Sequence, residues 1–507
     1  MRIVELQKEI AGSAVRGNAD VQITAVEHDS RRVRPGCIFV AIRGFTADGH
    51  SYISQALDAG AAAVAVEAGE EAKWASLVEE RQFPVLVAPD TRVALAKIAA
   101  AINGHPARRL SVAGVTGTDG KTSLAHLLAH LFNSAGERAG LISTAECRIG
   151  DRPLADTGRF TTPESPQVQA MLAEMVAAGC RWAVIEATSH GLALHRVDEC
   201  EYDIAAFTNV GSDHMDFHGT REEYLAAKGR LFQMLDQAAG QGVQKAAVLN
   251  VDDPSHSYFA GLTRARHVTY GIDSPADVSA QDLRRDGWNY HFTVRAGGAQ
   301  APVRFGRPGL FNVYNALAAT AVGLAAGLEM GQIVPALESW EGAPGRMQFV
   351  DAGQGFTVIV DFAHAPDSLR RVLQFIREPS RGRIIAVFGC IGERDKDRRF
   401  GMGRAAAECA DYTIVTDDSP YTEDRQAIID EIASGLRVSG RREGHDFALV
   451  PDRREAIAQA LAMAVDEDVV LLAGKGHERE VHLAGSSYEC NDAEVARRVL
   501  AQLQQRR

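Results

Sequence analysis

The chain has 507 residues, 46% of them hydrophobic and 24% charged, an ordinary globular composition with core-forming material for about three domains. Acidic residues number 66 against 54 basic ones, a net charge of −12. This balance argues against nucleic-acid binding, which needs a basic face, but not against a nucleotide-binding enzyme, whose positive charge is local.

In chain order, Met1-Arg2-Ile3-Val4-Glu5 carries no apolar signal core, and no apolar run reaches the ~20 residues that span a membrane. Residues 1–107 are expected to form a first domain. Ile38-Phe39-Val40-Ala41-Ile42 and Ala61-Ala62-Ala63-Val64-Ala65-Val66 read as buried strands, Tyr52-Ile53-Ser54-Gln55-Ala56-Leu57 as a helix between them, and Asn103-Gly104-His105-Pro106 as a linker. Residues 108–343 form the expected second domain. Its β-rich runs at 182–185, 204–207 and 246–249 alternate with helical segments, the signature of a largely parallel α/β sheet, and Gly342-Ala343-Pro344-Gly345 marks its end. Residues 344–507 alternate again, with strands expected at 357–360, 384–388, 412–415 and 469–473. Ligands of such sheets gather at the carboxyl ends of the strands. The seven cysteines are scattered, with no Cys-x-x-Cys, so neither a disulfide framework nor a zinc site is implied and a reducing cytoplasm is expected.

The second domain opens on an apolar run, Leu110-Ser111-Val112-Ala113, then Gly114-Val115-Thr116-Gly117-Thr118-Asp119-Gly120-Lys121-Thr122-Ser123, then the helix-like Leu124-Ala125-His126-Leu127-Leu128. Strand, glycine-rich turn and helix N-terminus make a phosphate cradle. Backbone N–H groups face the anion, Lys121 supplies a point charge, and Thr122 or Ser123 can hold Mg²⁺. Val115 stands where the general phosphate-loop pattern has its first glycine, so the loop is a variant.

Two polar runs follow strands of the same domain: Glu186-Ala187-Thr188-Ser189-His190-Gly191, and Thr208 to His218, which includes Asp213, His214 and Asp216. Either run alone reads as a polar loop. Beside a triphosphate, their carboxylate, hydroxyl and imidazole groups suit Mg²⁺ or Mn²⁺. Helical spacing places Leu225, Lys228, Phe232 and Leu235 on one stripe. Lys228 either snorkels to water or is desolvated with a lowered pKa. A neutral amine can capture CO₂ and become an anionic, metal-binding carbamate; spacing does not choose. In the third domain, Gly345-Arg346, Asp361 to Asp367 and Gly389 to Arg399 crowd charge at strand ends. Each reads singly as a solvated loop; together they suggest an anionic ligand.

Over nearly its whole length the chain resembles the Mur ligase family, and most of all its MurE type. The matching stretches are Asp29-Ser30-Arg31 with Pro35 to Val40, Gly44 to His50, the 114–123 loop, Thr161-Thr162-Pro163-Glu164, Glu186 to Arg196, Thr208 to His218, Lys228, Asn312-Val313-Tyr314-Asn315, Asp361 to Asp367, and Gly474-Lys475-Gly476-His477-Glu478. The resemblance implies an α/β fold of three domains: one for a UDP moiety, a central phosphate-loop domain for ATP, and a Rossmann-like third for an amino acid. Ser30, Phe45, Thr46 and Ala47 would line the uridine site. Gly117, Thr118, Asp119, Gly120, Lys121, Thr122 and Ser123 would hold the ATP phosphates, Asn312 and Asn315 would face adenine, and Arg346 and Asp361 would also serve nucleotide. Thr122, Glu186, His214 and a carbamylated Lys228 would serve magnesium, with Lys121, Lys228 and His214 catalytic. Thr161, Thr162, Thr188, Ser189 and Arg196 would contact the muramoyl-peptide. Arg399, Asp418, Ser419, Pro420, Tyr421, Gly474 and Glu478 would hold the amino acid.

The resemblance thus implies an ATP-dependent, ADP-forming ligase, a cytoplasmic monomer acting on a UDP-muramoyl dipeptide and a free amino acid. Two departures matter. Diaminopimelate-adding members carry Asp-Asn-Pro-Arg where this chain has Asp418-Ser419-Pro420-Tyr421, and the arginine there pairs with the distal carboxylate. Leu194 stands where some relatives have a polar residue. L-Lysine, L-ornithine or another diamino acid is therefore expected ahead of meso-diaminopimelate. The alternatives are a Mur-type ligase with another acceptor, or a phosphate-loop ATPase that does not ligate.

Overall fold

The computed structural model describes residues 1–45, 47–154, 162–211, 215–239, 242–393 and 396–505. They pack as two units: Met1–Leu283 with Phe292–Val303 and Phe311–Ser339, and Arg284–His291 with Arg304–Leu310 and Trp340–Arg507. The architecture is mixed α/β.

The first unit contains two sheets. The amino-terminal one runs Ala14–Arg16, Val85–Ala88, Ala63–Glu67, Cys37–Val40, Ala25–Glu27, parallel except at the Ala14–Arg16 edge. Its inner strands are buried on both faces. Ile38, Val40, Ala63 and Ala65 face a core with Leu6, Leu95 and Ile98, while Phe39, Val64 and Val66 face one with Ile53 and Trp74. Alternate residues serve opposite cores, so these strands read as continuous apolar runs.

The parallel core of the central sheet runs Ala246–Asn250, Ile204–Phe207, Ser111–Thr116, Trp182–Glu186, Ala139–Ile142. Its register places the ligand-side residues: Glu186 pairs with Val115 and Phe207 with Thr116. The loops leaving both neighbouring strands therefore start level with the turn after Thr116. The helix Lys121–Ser134 buries Leu124, Leu127, Leu128, Leu131 and Phe132, and Phe132 stacks on Trp182 at 4.2 Å. A capping box of Thr220 and Glu223 opens the helix Arg221–Gln237. Its buried stripe is Tyr224, Lys228, Leu231, Phe232 and Leu235, so the expected stripe is present with Leu225 at its edge.

In the second unit a sheet runs Gln348–Phe349, Thr357–Asp361, Val469–Ala473, Ile384–Phe388, Tyr412–Val415, Phe447–Leu449, parallel except for the first strand. Val469–Ala473 comes late in the chain yet sits between two earlier strands. The crevice at its carboxyl end is a switch point, the usual ligand position in open α/β sheets.

Candidate active site

The phosphate loop is held by its neighbours. Gly117 (φ 146°) and Gly120 (φ 83°) adopt backbone angles that side chains avoid. A Cβ on Gly117 would collide with the Thr208 hydroxyl, and one on Gly120 would lie 2.9 Å from Asn315 Oδ1. The loop after Phe207 braces the turn. The Thr208 hydroxyl donates to the Asp119 carbonyl at 2.7 Å, Asn209 exchanges bonds of 3.0 and 3.1 Å with Asp119, and the Gly211 N–H donates to Thr118 Oγ1 at 2.8 Å. Lys121 Nζ donates to the Thr118 carbonyl at 2.6 Å. Asn312 and Asn315 bond to each other at 3.1 Å.

Glu186, 1% exposed, is the anchor beside this loop. The Thr122 hydroxyl donates to Oε1 at 3.0 Å, and the Ser143 hydroxyl and Thr144 N–H donate to Oε2 at 2.6 and 3.0 Å. A carboxylate and a hydroxyl at a phosphate loop form an oxygen donor set that fits Mg²⁺. Among the described residues, which do not include His214, no three His, Cys, Asp or Glu side chains gather to hold a metal. Lys228 is 1% exposed. Its Nζ donates to the Gly117 carbonyl at 2.6 Å and lies 4.3 Å from the centre of the Tyr224 ring. Its burial excludes the snorkelling alternative. His214, Thr46 and Thr161 lie outside the described residues.

Four residues expected at the muramoyl-peptide come together next to Glu186. Thr162 Oγ1 donates to the Glu186 carbonyl at 3.2 Å and shares a 2.9 Å bond with Thr188 Oγ1. Thr188 caps the short helix that begins at Ser189. Arg196 donates to the Thr162 carbonyl at 3.2 Å and pairs with Glu164 at 2.7 Å. Further out, Ser30 donates to Gln55 Oε1 at 3.0 Å. The turn carrying Phe45 and Ala47 is closed by a 2.8 Å bond from Gly44 N to Ala47 O. Phe45 is 75% exposed and meets the Phe217 ring at 5.5 Å, and Phe217 lies 4.0 Å from His190. A line of rings thus links the turn expected at uridine to the Ser189 helix.

In the second unit, Asp361 ends a strand and accepts from the N–H groups of Met347 and Ala363 at 2.8 and 2.9 Å. Burial pushes its carboxyl up and Arg346 opposes that. Arg346 lies over the Phe362 ring at 4.6 Å. The nucleotide set expected from the sequence is thus divided: Asn312 and Asn315 belong to the first unit, Arg346 and Asp361 to the second.

A cavity opens at four strand ends, lined by Phe362, His364, Gly389, Cys390, Ile391, Arg398, Asp418, Gly474 and Glu478. Burial pushes the Cys390 thiol up to about 12 and holds the His364 imidazole below its usual value. Lys475, 0% exposed, reaches Asp418 Oδ1 at 3.4 Å, Ser419 Oγ at 3.4 Å and Glu478 Oε2 at 2.8 Å. Burial works to lower its pKa, but the two carboxylates more than offset that and raise it.

Of the expected amino-acid residues, Asp418, Gly474 and Glu478 line the cavity, and Arg399, Ser419, Pro420 and Tyr421 do not. Arg399 is 1% exposed and committed to Glu423 and Glu431, both at 2.9 Å. Arg398 faces the cavity in its place. Tyr421, at φ 53°, stacks on His482 with centroids 5.4 Å apart. Sequence reasoning gave no role to Ser143, Asn209, Tyr224 or Lys475. Asn209 and Lys475 stood in recognised runs, and nothing local marked the other two.

Three family models match: the Mur ligase family catalytic domain over residues 22–103, the Mur ligase middle domain over 115–323, and the Mur ligase glutamate ligase domain over 345–476. A UDP-N-acetylmuramyl-tripeptide synthetase of Roseiflexus sp. (strain RS-1) is 45% identical over 513 residues, covering 99% of each chain. A UDP-N-acetylmuramoyl-L-alanyl-D-glutamate–2,6-diaminopimelate ligase of Bacillus licheniformis is 41% identical over 489 residues, covering 96% of each. A solved structure of a ligase with that same name superposes with a TM-score of 0.67 at 29% identity, covering 99% of each chain. The chain belongs to the Mur ligase family, the ATP-dependent ligases that form amide bonds in peptidoglycan synthesis. Within that family it is of the MurE type. No helix among the described residues is long and apolar enough to cross a membrane.

Proposed function

We propose that the protein joins an amino acid to UDP-N-acetylmuramoyl-L-alanyl-D-glutamate in the cytoplasm, as a monomer. The preferred amino acid in this reading is L-lysine, L-ornithine or another diamino acid without a distal carboxylate. Residues 1–107 would take the UDP moiety, 108–343 ATP and 344–507 the amino acid. A carboxylate is a poor electrophile, so its oxygen first attacks the γ-phosphorus of ATP, ADP leaves, and an acyl phosphate forms. The amino group then attacks the acyl carbon, phosphate departs with the bonding pair, and the nitrogen loses a proton.

Lys121 and the loop N–H groups would hold the phosphoryl oxygens as charge shifts between them. Thr122 and Glu186 would hold Mg²⁺, which when bound offsets phosphate charge. Lys228 would serve as a carbamate. Its burial supports this, and so does its bond to Gly117, since a carbamate nitrogen keeps one N–H for that carbonyl. Thr162, Thr188, Ser189 and Arg196 would orient the peptide carboxylate.

The observation that carries the amino-acid preference is the charge balance of the cavity loop. Two carboxylates, Asp418 and Glu478, share one ammonium, Lys475. Position 421 offers a tyrosine committed to His482 rather than a guanidinium. A second reading is meso-diaminopimelate, favoured by Arg398 in the cavity wall and by the name of the Bacillus relative. Phosphate release measured with ATP, the UDP-muramoyl dipeptide and each amino acid, singly and together, tests the whole reading. Release should require both acceptor and amino acid and be fastest with lysine or ornithine. Release without the acceptor would overturn the ligation assignment, and fastest release with diaminopimelate would overturn the preference.

A further inference from the structure

The geometry points to Arg453 as the positioning residue that sets the width of the second-unit cavity, an inference that rests on reading this cavity as the amino-acid site. Arg453 is wholly buried and opens the helix Arg453–Met463, whose N-cap is Asp452. Its guanidinium grips Asp492 with two bonds, Nε to Oδ1 at 2.7 Å and Nη2 to Oδ2 at 2.6 Å. Two further N–H groups reach backbone: Nη1 donates to the Asp417 carbonyl at 3.1 Å and Nη2 to the Ala473 carbonyl at 2.8 Å.

Those carbonyls belong to the residues immediately before Asp418 and Gly474, which line the cavity. The two strands they follow are not neighbours. Ile384–Phe388 lies between them, and its own loop, Gly389 to Ile391, forms another wall. One planar cation thus spans three strand ends and fixes the distance between Asp418 and Gly474. A buried ion pair is a weak source of stability, often replaceable by apolar residues without loss. What this pair supplies that apolar packing does not is a fork of donors in fixed directions.

Arg453→Lys keeps the charge for Asp492 but cannot hold both carbonyls. In the full-length protein it should raise KM for the amino acid about tenfold, as for loss of charge-assisted hydrogen bonds. KM for ATP and for the UDP-muramoyl dipeptide should stay within about twofold. Thermal unfolding first establishes that the variant folds. Asp492→Asn, which leaves Arg453 in place with a weaker grip, should move the same constant in the same direction by less, and carries the test if Arg453→Lys does not fold. Unchanged constants, or an equal loss for all three substrates, would overturn the clamp. A selective rise in KM for ATP or the acceptor would instead overturn the reading of the cavity on which it rests.

Discussion

The phosphate loop and the second-unit cavity follow one plan, at the carboxyl ends of parallel strands, yet they hold charge differently. At the loop, Lys121 and Lys228 donate to the carbonyls of Thr118 and Gly117, and hydroxyls orient Glu186. Backbone and short side chains aim the polar groups. Around the cavity, buried cations that do not line it are tied to carboxylates, Lys475 to Asp418 and Glu478, Arg399 to Glu423 and Glu431, Arg453 to Asp492, while Arg398 lines the cavity itself. The first arrangement is a fixed cradle for a ligand with one shape, the phosphate chain. The second is a balance of paired charges, in which, if the cavity takes the amino acid as proposed, one changed residue should alter what side chain is accepted without touching phosphoryl transfer.

The largest effect is expected from Lys121→Ala. It should cut phosphate release about 10²–10³-fold or more, the usual cost of losing one preorganised donor to a transition-state oxyanion, while circular dichroism stays unchanged. Near-normal release by the folded variant would move the chemistry away from this loop.

Lys228→Ala should be almost as damaging, and short carboxylates such as formate should partly restore it by standing in for the carbamate. Full activity of the wild type in CO₂-depleted buffer, together with an unmodified Lys228 in a well-resolved structure of the active enzyme, would rule out the carbamate.

A smaller effect, confined to selectivity, is expected at the cavity. Tyr421→Arg with Ser419→Asn should shift the ratio of kcat/KM for diaminopimelate over lysine upward by about ten- to a hundredfold, the worth of a charge-assisted pair. Maximal phosphate release should change little. A general loss without a change of ratio would put the selecting residues elsewhere.

The smallest effect concerns stability. Asp252 accepts from Ile272, Asp273 and Ser274 N–H groups and from the Tyr314 hydroxyl. Burial works to raise its carboxyl pKa, but these donors hold it at about 2 against an ordinary 3.8. A folded value below the unfolded one stabilises above the unfolded pKa and is lost as pH falls through the folded one. Asp252→Asn should therefore cost about 1–2 kcal/mol at neutral pH, discounted for partial exposure. The gap to wild type in thermal midpoint should narrow between pH 4 and 2. A gap independent of pH would remove the charge from the explanation.

The same contrast governs what was legible in the sequence. The phosphate loop is a local object, in which strand, glycines and helix start lie within one short run, so residues 114–123 announce it. The strands 384–388 and 469–473 were legible because burial on both faces leaves an unbroken apolar run, and 412–415 because its residues are β-branched or aromatic. The stripe carrying Lys228 followed from helical spacing, but its bond to Gly117, 111 residues away, did not. Arg399 looked available to a ligand because Glu423 and Glu431, 24 and 32 residues further on, give no local sign of claiming it. Asp492 lies 39 residues beyond Arg453, and only the folded sheet brings them together. Charge pairing across strand ends is a tertiary property, and it holds the loops around the cavity.

One measurement addresses the division between cradle and cavity most directly. Wild-type protein is given ATP, UDP-muramoyl dipeptide and equal concentrations of L-lysine, L-ornithine and meso-diaminopimelate in one vessel, and the products are weighed by mass spectrometry at low conversion. Two carboxylates sharing Lys475, with tyrosine at 421, predict that the lysine or ornithine product predominates. Predominance of the diaminopimelate product would contradict the account, and Arg398 in the cavity wall would then be the cation that holds the distal carboxylate.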